Sequence, residues 1–324
     1  MIAAELLADR PHLFSPARVS VPAADLERMK ALVAAVDSVV ALPGYQEAAL
    51  AAAPALARHR PANPGVFFGY DFHLTAAGPR LIEINTNAGG GLLAARRFGR
   101  GDVEQAFVDM FRAECPGLQS LAIVDEAPAG QYLYPEFLLF QELFRQHGIA
   151  ADICSPEDLH LCHGGLWCGE RRLDLVYNRL TDFALATPAC APLRQAWLDD
   201  AVVLTPHPHA YALYADKRNL AALSDDGRLS AWGVDAPTRR LLAEVVPATE
   251  QVRADGAEDL WARRRQLFFK PARGYGSKAA YRGDKLTRRV FDEILVGDYV
   301  AQALVPPGTR SEEHTSELQS HHDL

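Results

Sequence analysis

The sequence predicts a mixed α/β protein with α+β character, and three observations carry that expectation. Residues 120–159 read as strand, amphipathic helix and strand, a βαβ-like unit that implies a small parallel sheet. Residues 66–85 and 267–282 each read as an apolar strand, a turn and a partner strand, which implies antiparallel pairs. The first 60 residues instead carry Ala, Leu and Glu with apolar positions at three- and four-residue steps, the pattern of helices. At 324 residues the chain has room for two units of about 150 residues each.

Within the N-terminal segment, residues 24–40 and 45–58 form the two helical patterns, and Pro43-Gly44 separates them. No chemistry is visible there, so the segment reads as a helical cap. Residues 61–97, PANPGVFFGYDFHLTAAGPRLIEINTNAGGGLLAARR, differ in kind. A strand over 66–74, a turn over 76–79 and a partner strand over 80–85 place Glu83 and Asn85 on one face, two residues apart. Asp71 on the first strand reaches toward the same face. Carboxylate and amide oxygens gathered on one side suit a hard divalent cation such as Mg²⁺. They equally suit an edge hairpin whose polar face is solvated. The run Gly89-Gly90-Gly91 allows close passage of the backbone past a neighbour.

In the βαβ-like unit, LAIVDE is a strand ending in acids, residues 135–147 are the helix, and Gly148 is its C-cap. The first strand is not followed by G-x-G-x-x-G, which argues against a dinucleotide site. LDLVY at 173–177 is a further strand, followed by Asn178-Arg179. Ligands of such sheets lie beyond the carboxyl ends of the strands. Arg179 is therefore a candidate clamp for a substrate carboxylate; an ion pair with Asp182 is the other reading. A strand over 202–205 leads through Pro-His-Pro-His into a helix bearing Lys217. Prolines 206 and 208 hold that segment extended, which argues against His207 and His209 as metal ligands.

The stretch 267–283, LFFKPARGYGSKAAYRG, is the most informative. An apolar strand ends in Lys270, and Pro271 leads into a loop carrying Gly274, Gly276 and Lys278. Glycines let successive N–H groups approach anionic oxygens, and a lysine at a strand end adds a point charge. The pattern suits a triphosphate cradle, though not a Walker A loop, whose order is absent. It also fits a plain hairpin between 267–270 and 279–282. Lys217 and Lys270, from separate elements, suit a clamp on two phosphates.

Composition narrows the function classes. A net charge of −8 argues against a general nucleic-acid binder. No apolar run of about 18 residues predicts a membrane span, and the first residues lack the basic and apolar regions of a signal peptide. A cytoplasmic protein is expected. Five cysteines, an odd number without framework spacing, argue against a disulfide scaffold. Cys162, His163 and Cys168 do not match a zinc spacing, and a small hairpin around Gly164-Gly165 is the expected structure.

Taken in order, Glu83-Ile84-Asn85-Thr86, the glycine run, Val176-Tyr177-Asn178-Arg179, Ala215-Asp216-Lys217-Arg218 and Lys270-Pro271-x-Arg273-Gly274-x-Gly276 resemble the ATP-grasp superfamily. More narrowly they resemble its circularly permuted branch, which holds the eukaryotic-type glutathione synthetases. The resemblance spans residues 61–307 and rests on four short motifs, of which E-I-N-T and K-P-x-R-G are the specific ones. It implies an ATP-grasp-like, permuted fold with five segments: a helical segment (1–60), a metal-binding hairpin (61–118), a Rossmann-like substrate subdomain (119–205), an ATP-binding region with a glycine-rich lid (206–309) and a tail (310–324).

The resemblance further implies Asp71, Glu83 and Asn85 as Mg²⁺ ligands, with Lys217 and Lys270 on ATP. Arg273, Gly274, Gly276, Ser277 and Lys278 would belong to the lid over the nucleotide, and Arg179 would hold a substrate carboxylate. The implied reaction is ligation of a small-molecule carboxylate and an amine through an acylphosphate. Two departures stand out. ARGYGSKA lacks the family's metal-binding acid, which predicts an incomplete metal shell and leaves a non-catalytic nucleotide-binding or interaction protein as the alternative. The arginine expected before the first-strand acid is replaced around Gly69-Tyr70, which argues against glutathione as product. From Arg310 the tail, RSEEHTSELQSHHDL, resembles a translated sequencing adapter. On that reading native sequence stops near Thr309, and a C-terminally truncated chain is expected to be inactive by itself.

Overall fold

The computed structural model describes residues 10–14, 19–274 and 279–308. Gly276, Ser277 and Lys278, and the tail from residue 310, lie outside the described residues.

Four sheets organise the chain. A parallel sheet has the order β4 (Ala150–Cys154), β3 (Ser120–Val124), β8 (Leu175–Asn178) and β9 (Val203–Thr205). Its central strands β3 and β8 bury both faces, as parallel strands do. Leu121 and Ile123 of β3 meet the helices α4 (Gly101–Glu114) and α5 (Tyr134–Gln146) through Phe111, Phe137, Phe140 and Phe144. Ala122 and Val124 face the other way, toward Leu193 and Trp197 of α6 (Ala191–Leu198). Gly148, at φ +76°, closes α5 as the sequence predicts. The βαβ expectation agrees with the parallel β3–β4 pair.

An antiparallel sheet has the order β10 (Thr249–Gln251), β13 (Tyr299–Ala303), β11 (Leu267–Pro271) and β12 (Tyr281–Arg282), and it packs on α10 (Ala257–Arg263) and α11 (Arg288–Val296) through Phe269 and Phe291. The two-stranded hairpin β1 (Gly69–Thr75) and β2 (Gly78–Asn85) buries Leu81 and Ile84 among α1 (Ala23–Val40), α2 (Pro43–Ala51) and a second group of helices. Those helices are α7 (Arg218–Leu223), α8 (Asp226–Ala231) and α9 (Ala236–Val245). The N-terminal helices thus share one core with the hairpin. The fourth sheet, β5 (Leu159–Cys162), β6 (Gly165–Cys168) and β7 (Arg171–Arg172), is a small antiparallel appendage. Its first turn carries His163 and Gly164 at positive φ. Cys162 pairs with Gly165 at the turn while Cys168 pairs with Leu159 at the far end. The two thiols therefore sit at opposite ends of the hairpin, and no cluster of three potential metal ligands of the His, Cys, Asp and Glu types occurs among the described residues.

Several boundaries differ from the sequence expectation for identifiable reasons. The first hairpin strand starts at Gly69 rather than residue 66, because Thr205 takes both polar groups of Val66: its Oγ1 accepts from Val66 N (2.7 Å) and donates to Val66 O (3.0 Å). Strand β8 starts at Leu175, because Leu173 N donates to Leu166 O (2.9 Å) and Asp174 accepts from Gln119 N and Ser120 N. The second N-terminal helix stops at Ala51, and a short 3-10 turn follows Pro54. No helix among the described residues is long and apolar enough to cross a membrane.

Candidate functional site

The face of the antiparallel sheet and the β1–β2 hairpin enclose a cavity of about 390 Å³ lined by Asp71, His73, Glu83, Lys217, Lys270 and Gln302 among others. The register of the hairpin sets Asp71 directly across from Glu83, beside a bulge between Asp71 and Phe72. Asn85 bridges them, donating from Nδ2 to Asp71 Oδ2 (3.0 Å) and Glu83 Oε1 (3.4 Å). Burial, and next the like charge of Glu83, push the Asp71 carboxyl up from its usual range. A pair of facing carboxylates with that mutual penalty fits a divalent cation, and Mg²⁺ is held by one or two carboxylates plus substrate phosphates. A half-turn of the Asn85 amide would exchange its NH₂ for its oxygen. Asp71, Glu83 and Asn85 are thus the residues that would hold such an ion.

Lys270 crosses from β11 to the hairpin. Its Nζ donates to Ile82 O of β2 (2.9 Å) and to Gln302 Oε1 on the neighbouring strand β13 (2.9 Å). Burial pulls its pKa down to about 8, with Glu83 opposing and Lys217 adding to the fall. The other end of Gln302 is unsatisfied: its Nε2 is buried without a partner among the described residues. His73 Nδ1 lies 2.7 Å from Val305 O, a second link between hairpin and sheet.

Lys217 does not sit inside a helix, as the sequence reading placed it. The chain makes a π-helical turn over Tyr211–Ala215, and Lys217 is the N-cap of α7. Its own N–H donates to Ala272 O (2.9 Å) and its Nζ to Gly274 O (3.1 Å), so the residue is tied to the exit of β11 by both ends. Lys217 Nζ also stands 3.6 Å from Glu83 Oε2 in a largely buried ion pair. The two lysines and two acids of the sequence reading therefore meet in one cavity. Arg273 is directed away from the facing acids, toward Asp216 (3.9 Å) and Asp298 (3.7 Å), beside a neighbouring apolar recess.

A second cavity, about 450 Å³, lies beyond the carboxyl ends of the parallel strands and shares Lys217 and Gly274 with the first. Arg179 lines it, buried, with NH1 donating to Ala88 O and Tyr177 Oη. The alternative ion pair with Asp182 does not form: Asp182 instead accepts from Thr187 N (2.8 Å). The glycine run explains itself here. A Cβ on Gly89 would collide with Leu133 Cδ1 and stand 3.0 Å from Arg179 NH2, and Gly90 has φ +89°. Glu136, 1% exposed, holds this backbone by accepting from Gly90 N (2.8 Å) and Leu92 N (3.0 Å) at the start of α3 (Gly91–Arg97). Glu136→Ala removes two charge-assisted bonds and is expected to cost about 2–4 kcal/mol of stability, read as a fall in the urea midpoint with the slope unchanged.

Sequence reasoning did not single out Asp125 or Gln302. Asp125 stands at the end of β3, where the crevice rule points, and the Gln in the strand YVAQA is a polar side chain on an otherwise buried strand.

No protein-family profile and no curated protein matches the chain. Solved structures do. One is a protein of Methylobacillus flagellatus KT named provisionally as a gamma-glutamylcysteine synthetase, with TM-score 0.51 and 13% identity over 74% of this chain and 68% of that one. Another is D-cycloserine synthetase DcsG, with TM-score 0.36 and 25% identity over 57% of this chain and 59% of that one. The first likeness shows a shared fold.

Proposed function

We propose that the protein is an ATP-dependent ligase that joins a small carboxylate to an amine. The observation that carries this reading is the convergence of Lys217, Lys270, Asp71 and Glu83 in one cavity that adjoins, at Lys217 and Gly274, a second cavity containing Arg179. Two lysines suit the phosphates of ATP, and the acids with Asn85 suit the Mg²⁺ that accompanies it. That ion would supply neutralisation of charge on the phosphates. Arg179 would orient the substrate carboxylate toward Lys217, at the junction of the cavities. The carboxylate oxygen attacks the γ-phosphorus, ADP leaves, and the amine then displaces phosphate from the acyl carbon. Positioned cations favour the charge that develops in transfer.

A second reading, nucleotide binding without turnover, is favoured by one feature: the metal-facing group has two carboxylates, and its third member presents an NH₂ to them. The assay that separates the two measures ADP formation with pooled small carboxylates and amines. ADP formed only when both pools are present supports the ligase. Tight ATP binding without ADP under every pool supports the second reading, and neither result contradicts both.

A further inference from the structure

Asp125 and Arg179 follow the ends of adjacent parallel strands. Val124 of β3 is in register with Asn178 of β8, and Arg179 N donates to Val124 O (2.8 Å), so the two residues emerge side by side. Neighbouring strands lie about 4.8 Å apart. Both residues are buried, 7% and 6% exposed, and both line the 450 Å³ cavity. Although their charges are opposite, they form no ion pair among the described residues. The Asp125 side chain accepts one hydrogen bond, from Glu126 N (2.9 Å), and Arg179 Nε has no partner. Two buried charges that leave each other unpaired carry a desolvation penalty, which a ligand with complementary charges relieves.

We propose that Asp125 receives the ammonium group of the amine substrate and accepts its proton, a role that rests on the ligase reading above. Arg179, on the adjacent strand end, orients the acid whose carboxylate becomes the acyl phosphate, so the amine nitrogen and the acyl carbon share one cavity. In the step, the ammonium gives one proton to the Asp125 carboxylate. The freed nitrogen lone pair forms the C–N bond at the acyl carbon, and the acyl C–O bond to phosphate breaks with its electron pair leaving on phosphate. The second nitrogen proton leaves with that phosphate as the amide forms. Burial pushes the Asp125 carboxyl up to about 6, while the Glu126 N–H and Arg179 oppose the rise and the Glu126 charge adds to it. Among the described residues, Lys217 is the remaining cation lining the cavity. Such a group is ionised near neutrality yet basic enough to take a proton.

The test uses the full chain and Asp125→Asn, an isosteric change that keeps an acceptor for Glu126 N. Thermal unfolding with Mg·ATP present is followed against a panel of α-amino acids, alkylamines and diamines, each beside its N-acetylated form. At least one free amine is expected to raise the Tm while its N-acetyl form does not. Asp125→Asn is expected to weaken that amine at least tenfold and leave ATP affinity unchanged. Wild-type amine affinity should climb as pH rises through about 6, and the variant's should stay flat. Equal amine binding by Asp125→Asn, or no amine binding by a wild type that binds ATP, overturns the proposal. A wild type that binds no ATP overturns the ligase reading, and the role of Asp125 falls with it.

Discussion

Lys270→Met is expected to weaken Mg·ATP binding by about 100-fold or more, measured by calorimetric titration against the wild type. The lysine touches both walls of the 390 Å³ cavity, through Ile82 O of the hairpin and Gln302 Oε1 of the sheet. Methionine keeps the length of the side chain, so loss of the charge is what the variant reads. The unliganded fold is expected to survive, because removing a cation whose pKa is already lowered by burial also removes a desolvation penalty. The pH dependence has a definite sign. The native lysine gives up its proton near pH 8 while an unfolded one does so near 10.5. Between those values the unfolded chain binds more protons, so the free protein gains stability as pH rises across that window. ATP affinity moves the opposite way, falling as pH rises above about 8, because the phosphates need the charged form. The Lys270→Met variant should lose both dependences. Unaltered ATP affinity in Lys270→Met would remove the lysine from the site.

The second large effect is expected at the facing acids. Asp71→Asn combined with Glu83→Gln should reduce Mg²⁺-dependent ADP formation by at least about 100-fold, the order seen when a positioned electrostatic group is removed. It should change the thermal midpoint little, because two effects oppose each other. Relief of the facing charges of Asp71 and Glu83, which with burial push the Asp71 carboxyl up, offsets the loss of the Glu83–Lys217 ion pair. A site kept for function and a contact kept for stability are thereby separated: a drop in midpoint that parallels the drop in activity would assign the acids to folding. Chelation with EDTA should mimic the double variant in wild-type protein and have no further effect on the variant.

Much of this site was legible because local pattern decided it. Strand alternation put Glu83 and Asn85 on one face, and a strand end placed Arg179 at the crevice of the parallel sheet. The apolar run before Lys270 fixed it as the last polar group of a buried strand. What stayed hidden depended on contacts between distant segments. The bond from Lys270 to Ile82 joins residues 188 apart in sequence. Lys217 reaches the cavity through a π-helical turn and a backbone bond to Ala272, neither of which has a periodic signature. Asp125 was visible only as an acid at a strand end; its place beside Arg179 needed the order of the sheet, in which β8 lies next to β3. The glycine run signalled a close approach, and the structure supplies the neighbours, the Leu133 side chain and the Arg179 guanidinium.

The most direct measurement is calorimetric titration of the wild-type protein with ATP, in Mg²⁺ and again after its removal with EDTA. The two-lysine cavity with its facing acids predicts saturable binding at one site per chain, substantially tighter with Mg²⁺ than without it. A folded protein that shows no saturable binding in either condition would contradict the account.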